Sequence, residues 1–137
     1  MGKVRVVLDS NVLISALGWD GKPKDCFDLM LNDEIISFIS PDLLEEFSKV
    51  MDYPKFGFTK EEKEKFLEIF LEKALIVKPE NQIEVLKEDK SDNRVLECAL
   101  DAKVDFIVSG DSHLLDLEEF RGIEILNVSQ FLERMKG

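Results

Sequence analysis

Val4-Arg5-Val6-Val7-Leu8-Asp9-Ser10-Asn11 decides how this chain is to be folded. The first five residues are mostly β-branched or aliphatic and read as a strand. An acid, a hydroxyl and an amide follow without a spacer. Val12, Leu13, Ala16 and Leu17 then recur at helical spacing. A strand that passes through Asp9 directly into a helix is the opening unit of an alternating α/β chain.

The same alternation continues outward. Gly18 and Gly21 bracket a loop holding Trp19, and a helix is expected from about Pro23 to Leu31 with Cys26, Phe27 and Met30 on its apolar side. Ile35-Ile36-Ser37-Phe38-Ile39 reads as the second strand. Ser40-Pro41 is a helix-start signal, a capping residue before a first-turn proline, and Leu43, Leu44, Phe47, Val50 and Met51 keep helical spacing up to Tyr53-Pro54. Thr59 with Glu62 predicts a capping box for a helix burying Phe66, Leu67, Phe70 and Leu71. Leu75-Ile76-Val77 is a short third strand, Lys78 to Lys90 is polar and ambiguous, and a helix follows from Asn93 to about Lys103. Phe106 to Ser109 is the fourth strand, a short helix lies near Leu114 to Leu117, Ile123 to Leu126 is the fifth strand, and Ser129 starts a closing helix. Such alternation argues for a parallel sheet with helices on both faces. Ligands of such sheets sit beyond the carboxyl ends of the strands, where the strand order reverses.

A length of 137 residues suits one domain, spanning 1–137, with one core. The chain is 45% hydrophobic and 34% charged, the balance of a soluble globular protein. No apolar run approaches the roughly 20 residues that span a bilayer, and MGKVRVVLD is too short for a secretory signal, so the expected location is the cytoplasm and no membrane partner is expected. Cys26 and Cys98, the two cysteines, form no CxxC and read as small core residues. His113 is the single histidine, which excludes a multi-histidine metal site but leaves a mixed one open; it reads as an exposed loop residue more readily than as a catalyst. The net charge of −11 opposes nucleic-acid binding through basic surface. Clustered carboxylates, however, attract divalent cations, and bound cations reverse the local sign. A basic partner or a symmetric dimer would also supply positive surface.

The acids separate by position. Asp9 ends the first strand and Asp111 lies just past the fourth; if these strands flank the reversal, both face one cleft. At about 100° per residue, Asp92 falls on the buried side of the helix marked by Val95, Ala99 and Leu100, whereas Glu97 and Asp101 fall opposite as surface charges. Glu45 lies away from its helix's apolar stripe and can pair with Lys49, four residues on, which leaves Glu46 for the cleft. Any one of these acids alone could equally be a helix cap. Asn11 is either a turn residue or an amide that orients Asp9. Ser109 either ends its strand or joins the cluster through its hydroxyl. Trp19 either stacks on a base or sits at a partner interface.

These motifs resemble the PIN-domain ribonucleases. Asp9-Ser10-Asn11 looks like the family's opening motif. Ser40-Pro41-Asp42-Leu43-Leu44-Glu45-Glu46-Phe47 looks like the second, with Glu46 as the acid. Asp92 to Ala99 is similar to the third, with Asp92 as the acid, and Val108-Ser109-Gly110-Asp111 before Leu114-Leu115 resembles the fourth, with Asp111 as the acid. The resemblance spans Val4 to about Phe131. It implies a three-layer α/β/α fold with a five-stranded parallel sheet, and Mg²⁺- or Mn²⁺-dependent cleavage of single-stranded RNA, often by homodimers. The subgroup it most resembles is the VapC-like toxins, which a small antitoxin partner silences. His113 stands where many relatives carry a further acid.

The expected ligands are thus Asp9, Asp92 and Asp111, completed by Glu46 and supported by Asn11 and Ser109. Hard divalent cations prefer such oxygen donors. Two other functions compete. A phosphatase that opens on a strand-end DxD motif would need an acid where Asn11 stands, and a P-loop enzyme would need GxxxxGK[ST], which is absent. A non-catalytic interaction module would suit the acidic balance but has no need of mutually repelling carboxylates.

Overall fold

The computed structural model describes residues 3–18, 21–80, 82 and 90–136. Trp19 and most of the polar stretch from Lys78 to Lys90 fall outside these residues. The chain runs β1 (Val4–Leu8), α1 (Ser10–Gly18), α2 (Lys22–Leu31), β2 (Ile35–Ile39), α3 (Pro41–Met51), a 3-10 turn at Pro54–Phe56, then α4 (Lys60–Lys73) and β3 (Leu75–Ile76). It continues through α5 (Lys90–Ala102), β4 (Phe106–Val108), α6 (Ser112–Leu115), β5 (Glu119–Phe120), β6 (Ile123–Leu126) and α7 (Val128–Lys136).

The sheet order is β3-β2-β1-β4-β6-β5. Successive strands step one way from β1 through β2 to β3 and the other way from β4 to β6. The reversal therefore lies between β1 and β4, which pair in parallel with Leu8 opposite Val108. That register extends one residue further. The Asp9 N–H donates to the Val108 carbonyl at 3.0 Å, and the Ser109 N–H donates to the Leu126 carbonyl at 3.0 Å. Asp9 and Ser109 thus emerge side by side at the carboxyl edge. Val6, Val7, Leu8, Ile107 and Val108 are all buried, as expected of central strands covered on both faces.

Among the described residues the sheet has six strands, one more than expected, and the extra strand is antiparallel. β5 pairs with β6 through Phe120 opposite Ile123. Arg121 (φ 49°) and Gly122 (φ 87°) make the two-residue turn between them, and positive φ at both central positions matches the twist of a tight hairpin. The segment Leu117 to Gly122 is short and charge-rich, so no alternation marked it as a strand.

Local chemistry accounts for the helix starts. Ser40 accepts the Leu43 N–H at 3.2 Å, and Thr59 and Glu62 form the expected reciprocal box, at 3.1 Å and 2.9 Å. α5 begins three residues before the expected Asn93, at Lys90. It packs against β1, β2, β4 and α3, so Asp92, Asn93, Val95, Leu96, Glu97, Cys98 and Ala99 are all buried. This overturns the reading of Glu97 and Asp101 as surface charges. A helix enclosed on several sides has no broad solvated face: Glu97 is buried and ion-paired with Arg94. Asp101 is half-buried and accepts the Glu80 N–H at 2.6 Å. Both cysteines are buried, and burial pushes each thiol up to about 12, in keeping with inert core residues.

An aromatic cluster ties α2, α3 and α4 together. Phe27 stacks on Phe66 at 4.9 Å, and Phe47 meets Phe66 and Phe70 edge-on at 5.8 Å and 6.1 Å. Phe47 is fully buried and lies next to Glu46, so this cluster also fixes the helix that carries the acid. Phe47→Ala is expected to cost about 3–5 kcal/mol, a large share of a small domain's stability. Urea unfolding checks it, as a lower midpoint at unchanged slope.

Candidate metal centre

Asp9 is buried at the end of β1. Its Oδ1 accepts the Ser10 N–H at 2.7 Å and its Oδ2 accepts the Ser109 hydroxyl at 2.7 Å. The Ser109 oxygen in turn accepts the Asp111 N–H at 3.0 Å. One hydroxyl thereby couples the acid after β1 to the loop after β4. Burial pushes the Asp9 carboxyl above its ordinary range, the Ser109 and Ser10 hydrogen bonds pull it back, and the neighbouring Asp111 charge raises it again.

Asp111 caps the short helix α6. Its Oδ1 accepts the N–H of His113 at 2.8 Å, an aspartate bonded to the backbone two residues on. The His113 Nδ1 lies 3.8 Å from the same oxygen. Asp92 approaches from the other side, in the first turn of α5, where it is buried. One donor atom from each of Asp92, Asp111 and His113 lies within 4.8 Å of the others. Two donors sharing one ion at about 2.1–2.2 Å stand at most roughly 4.4 Å apart, so the three donors lie close to the separations that one shared ion spans. Two carboxylate oxygens and an imidazole nitrogen therefore fit a divalent cation.

Of the six site residues expected from sequence, Asp92 and Asp111 meet in this set. Asp9 is outside the set and is joined to Asp111 through Ser109. Glu46 is half-buried on α3, which packs against α5, but it is not within 4.8 Å of all three donors. Glu45, as expected, is exposed and pairs with Lys49 at 3.1 Å. Asn11 is exposed and lines a cleft of about 300 Å³ together with Ser15, Ser109, Gly110, Asn127 and Ser129. This cleft borders the acids, and among the described residues its lining carries no charge. His113 is the member whose role sequence reasoning left open. The signal was its position two residues after Asp111, on a turn that brings both side chains to one edge.

A family model for the PIN domain matches residues 5–113. The uncharacterized protein MJ1680 of Methanocaldococcus jannaschii is 30% identical over 131 residues, covering 92% of this chain and 83% of that protein. Two solved structures share the fold at 15% identity. VapBC2 from Rickettsia felis, bound to a DNA fragment from their promoter, gives a TM-score of 0.63 over 90% of this chain and 98% of that one. PAE2754 from Pyrobaculum aerophilum gives 0.64 over 97% and 90%.

The raised Asp9 pKa sets a pH dependence. The folded state holds the proton more tightly than the unfolded one. The resulting contribution to stability is fully present below the ordinary aspartate pKa of about 3.9 and is lost as the pH rises through the folded value. Asp9→Asn removes it. In chelator, the melting temperature of Asp9→Asn relative to the parent is expected to climb from pH 4 to pH 8; a flat difference across that range contradicts the burial argument.

Proposed function

The chain belongs to the PIN domain family, whose members are generally nucleases; from that premise we propose that it is a Mg²⁺- or Mn²⁺-dependent endoribonuclease acting on single-stranded RNA, the VapC-like toxin of a toxin–antitoxin pair. The observation that carries this is the convergence of Asp92 and Asp111 from separate elements on one point, with buried Asp9 wired to Asp111 behind it. Asp9, Asp92 and Asp111 hold the ion, directly or through water, and Glu46 completes the site from α3. A bound divalent cation supplies an activated water and stabilises charge on the phosphate during in-line displacement.

The protein's own groups do the rest. Ser109 keeps Asp9 oriented and partly neutralised by hydrogen bonding. Asn11 and Ser109 face the neighbouring cleft, where amide and hydroxyl groups receive the substrate strand without adding negative charge. Extended phosphates next to a −11 protein need that neutral wall. The antitoxin follows from the VapC resemblance, and a fold neighbour, VapBC2, is bound to a DNA fragment from their promoter. A basic antitoxin or a homodimer supplies the positive surface this chain lacks. Among the described residues no helix is long and apolar enough to cross a membrane, in keeping with action in the cytoplasm.

Incubation of the purified protein with single-stranded RNA and Mn²⁺ tests the reading. Cleavage is expected with metal and is expected to disappear in EDTA. Asp92→Asn should lose more than the about 10–100-fold typical of groups that only support a metal ligand. Mn²⁺ should raise the melting temperature of the parent and not of Asp92→Asn. Stabilisation by Mn²⁺ without cleavage favours the non-catalytic module, and cleavage that survives both EDTA and Asp92→Asn sinks the metal mechanism.

A further inference from the structure

We propose that His113 is a nitrogen ligand of this site and biases it toward a transition-metal ion, Mn²⁺ over Mg²⁺; the inference rests on the metal-dependent reading above. Three observations support it. The imidazole offers a donor within 4.8 Å of donors on both Asp92 and Asp111. The turn that holds it there uses only backbone at position 113, because Asp111 accepts the His113 N–H at 2.8 Å. The Nδ1 lies 3.8 Å from the Asp111 Oδ1, and about half of the side-chain surface is accessible, so an ion arriving from solvent can reach the ring.

The chemistry then discriminates between ions. Mg²⁺ demands oxygen donors in a near-ideal octahedron and sheds water reluctantly. An imidazole nitrogen in place of one oxygen serves it poorly. First-row transition ions accept imidazole well, and their affinity for mixed N/O sites rises from Mn²⁺ toward the later metals. Asp9 is not among the donors that lie within 4.8 Å of one another, so the ion's protein contacts come first from Asp92, Asp111 and His113. A carboxylate at position 113 would return the set to oxygen alone and restore Mg²⁺ as a competitor.

The test uses the full chain without substrate. Mn²⁺ and Mg²⁺ are titrated separately by calorimetry into the parent, His113→Asp and Asp92→Asn. Pulsed electron paramagnetic resonance of the Mn²⁺-loaded parent then looks for modulation from a directly bound ¹⁴N. The parent is expected to show nitrogen modulation and His113→Asp to lose it. The Mn²⁺-to-Mg²⁺ affinity ratio should fall at least about tenfold in His113→Asp, the order of effect that ligand-set changes produce. Mn²⁺ bound to the parent without nitrogen modulation, or a ratio unchanged in His113→Asp, overturns the inference and leaves the metal-dependent reading standing. Absence of Mn²⁺ binding to the parent overturns both. The spectroscopic arm needs only the parent protein, so misfolding of a variant cannot decide the result.

Discussion

Negative charge taken out of water at the carboxyl edge of the sheet is the constraint on which the site depends. Asp9 and Asp92 are both nearly inaccessible, and Asp111 lies close enough to Asp9 to raise its pKa. A buried carboxylate is costly unless it is hydrogen-bonded or paired, and neighbouring carboxylates repel as well. The fold keeps this arrangement because strand pairing leaves little choice. β1 and β4 are held in register by their apolar residues, and the residues that follow them must emerge together. The hydrogen bonds from Ser10 and Ser109 reduce the cost at Asp9 but do not abolish it, since its pKa remains raised. A divalent cation relieves both burial and repulsion at once, which is the physical link between the strained electrostatics of the edge and a metal-dependent activity.

The same constraint addresses the excess of acid in the whole chain. A net charge of −11 repels a polyanion at long range, although screening confines that repulsion to about 8–10 Å at physiological ionic strength. Within that distance the local sign matters more than the total. Among the described residues the cleft beside the acids is lined by neutral groups, and the point where carboxylates concentrate is the point a cation would occupy on the proposed reading. Ion pairs elsewhere, such as Glu124 with Arg134 at 2.7 Å and Lys73 with Asp33 at 3.1 Å, tie up basic side chains on the surface. On the proposed reading, substrate affinity would then come from the ion and from a partner more than from this chain's own lysines.

Much of the fold was legible because the hydrophobic pattern is locally consistent with it. β1, β2 and β6 are short apolar runs, and Ser40 and Thr59 are capping residues placed where a cap is needed. The acids at Asp9, Asp92 and Asp111 could be singled out because each breaks a buried pattern or ends a strand. What escaped was set by tertiary contact. β5 is two residues long and exists because a positive-φ turn folds it onto β6. Glu97 sits opposite the apolar centre of α5 by helical phase, yet α5 is enclosed by the sheet and α3, so its polar side is buried too. His113 has no apolar phase to interpret. Its role depends on a turn geometry and on Asp92, twenty-one residues earlier in the sequence, and single-sequence periodicity carries neither. Glu46 was chosen by helical phase alone, and its half-buried position agrees with that phase while leaving it outside the tightest donor set.

Ser109 shows why the edge needs a hydroxyl at that position. Its oxygen donates to Asp9 Oδ2 and accepts the Asp111 N–H, and the residue is fully buried. Alanine would keep the volume close but remove the donor, leaving a buried carboxylate oxygen and a backbone N–H each short of a partner, at about 1–3 kcal/mol apiece. Cysteine would supply only a weak donor. Threonine would keep the hydroxyl but add a methyl group where no space is open to solvent. Aspartate or asparagine could accept the N–H, but aspartate would bring another negative charge against Asp9. Serine joins the two strand ends, offsets part of the Asp9 charge and adds none of its own. Because that one oxygen bridges the β1 acid and the β4 loop, any change in the position of Asp111 on taking up an ion is transmitted to Asp9 through a single hydrogen-bonded atom.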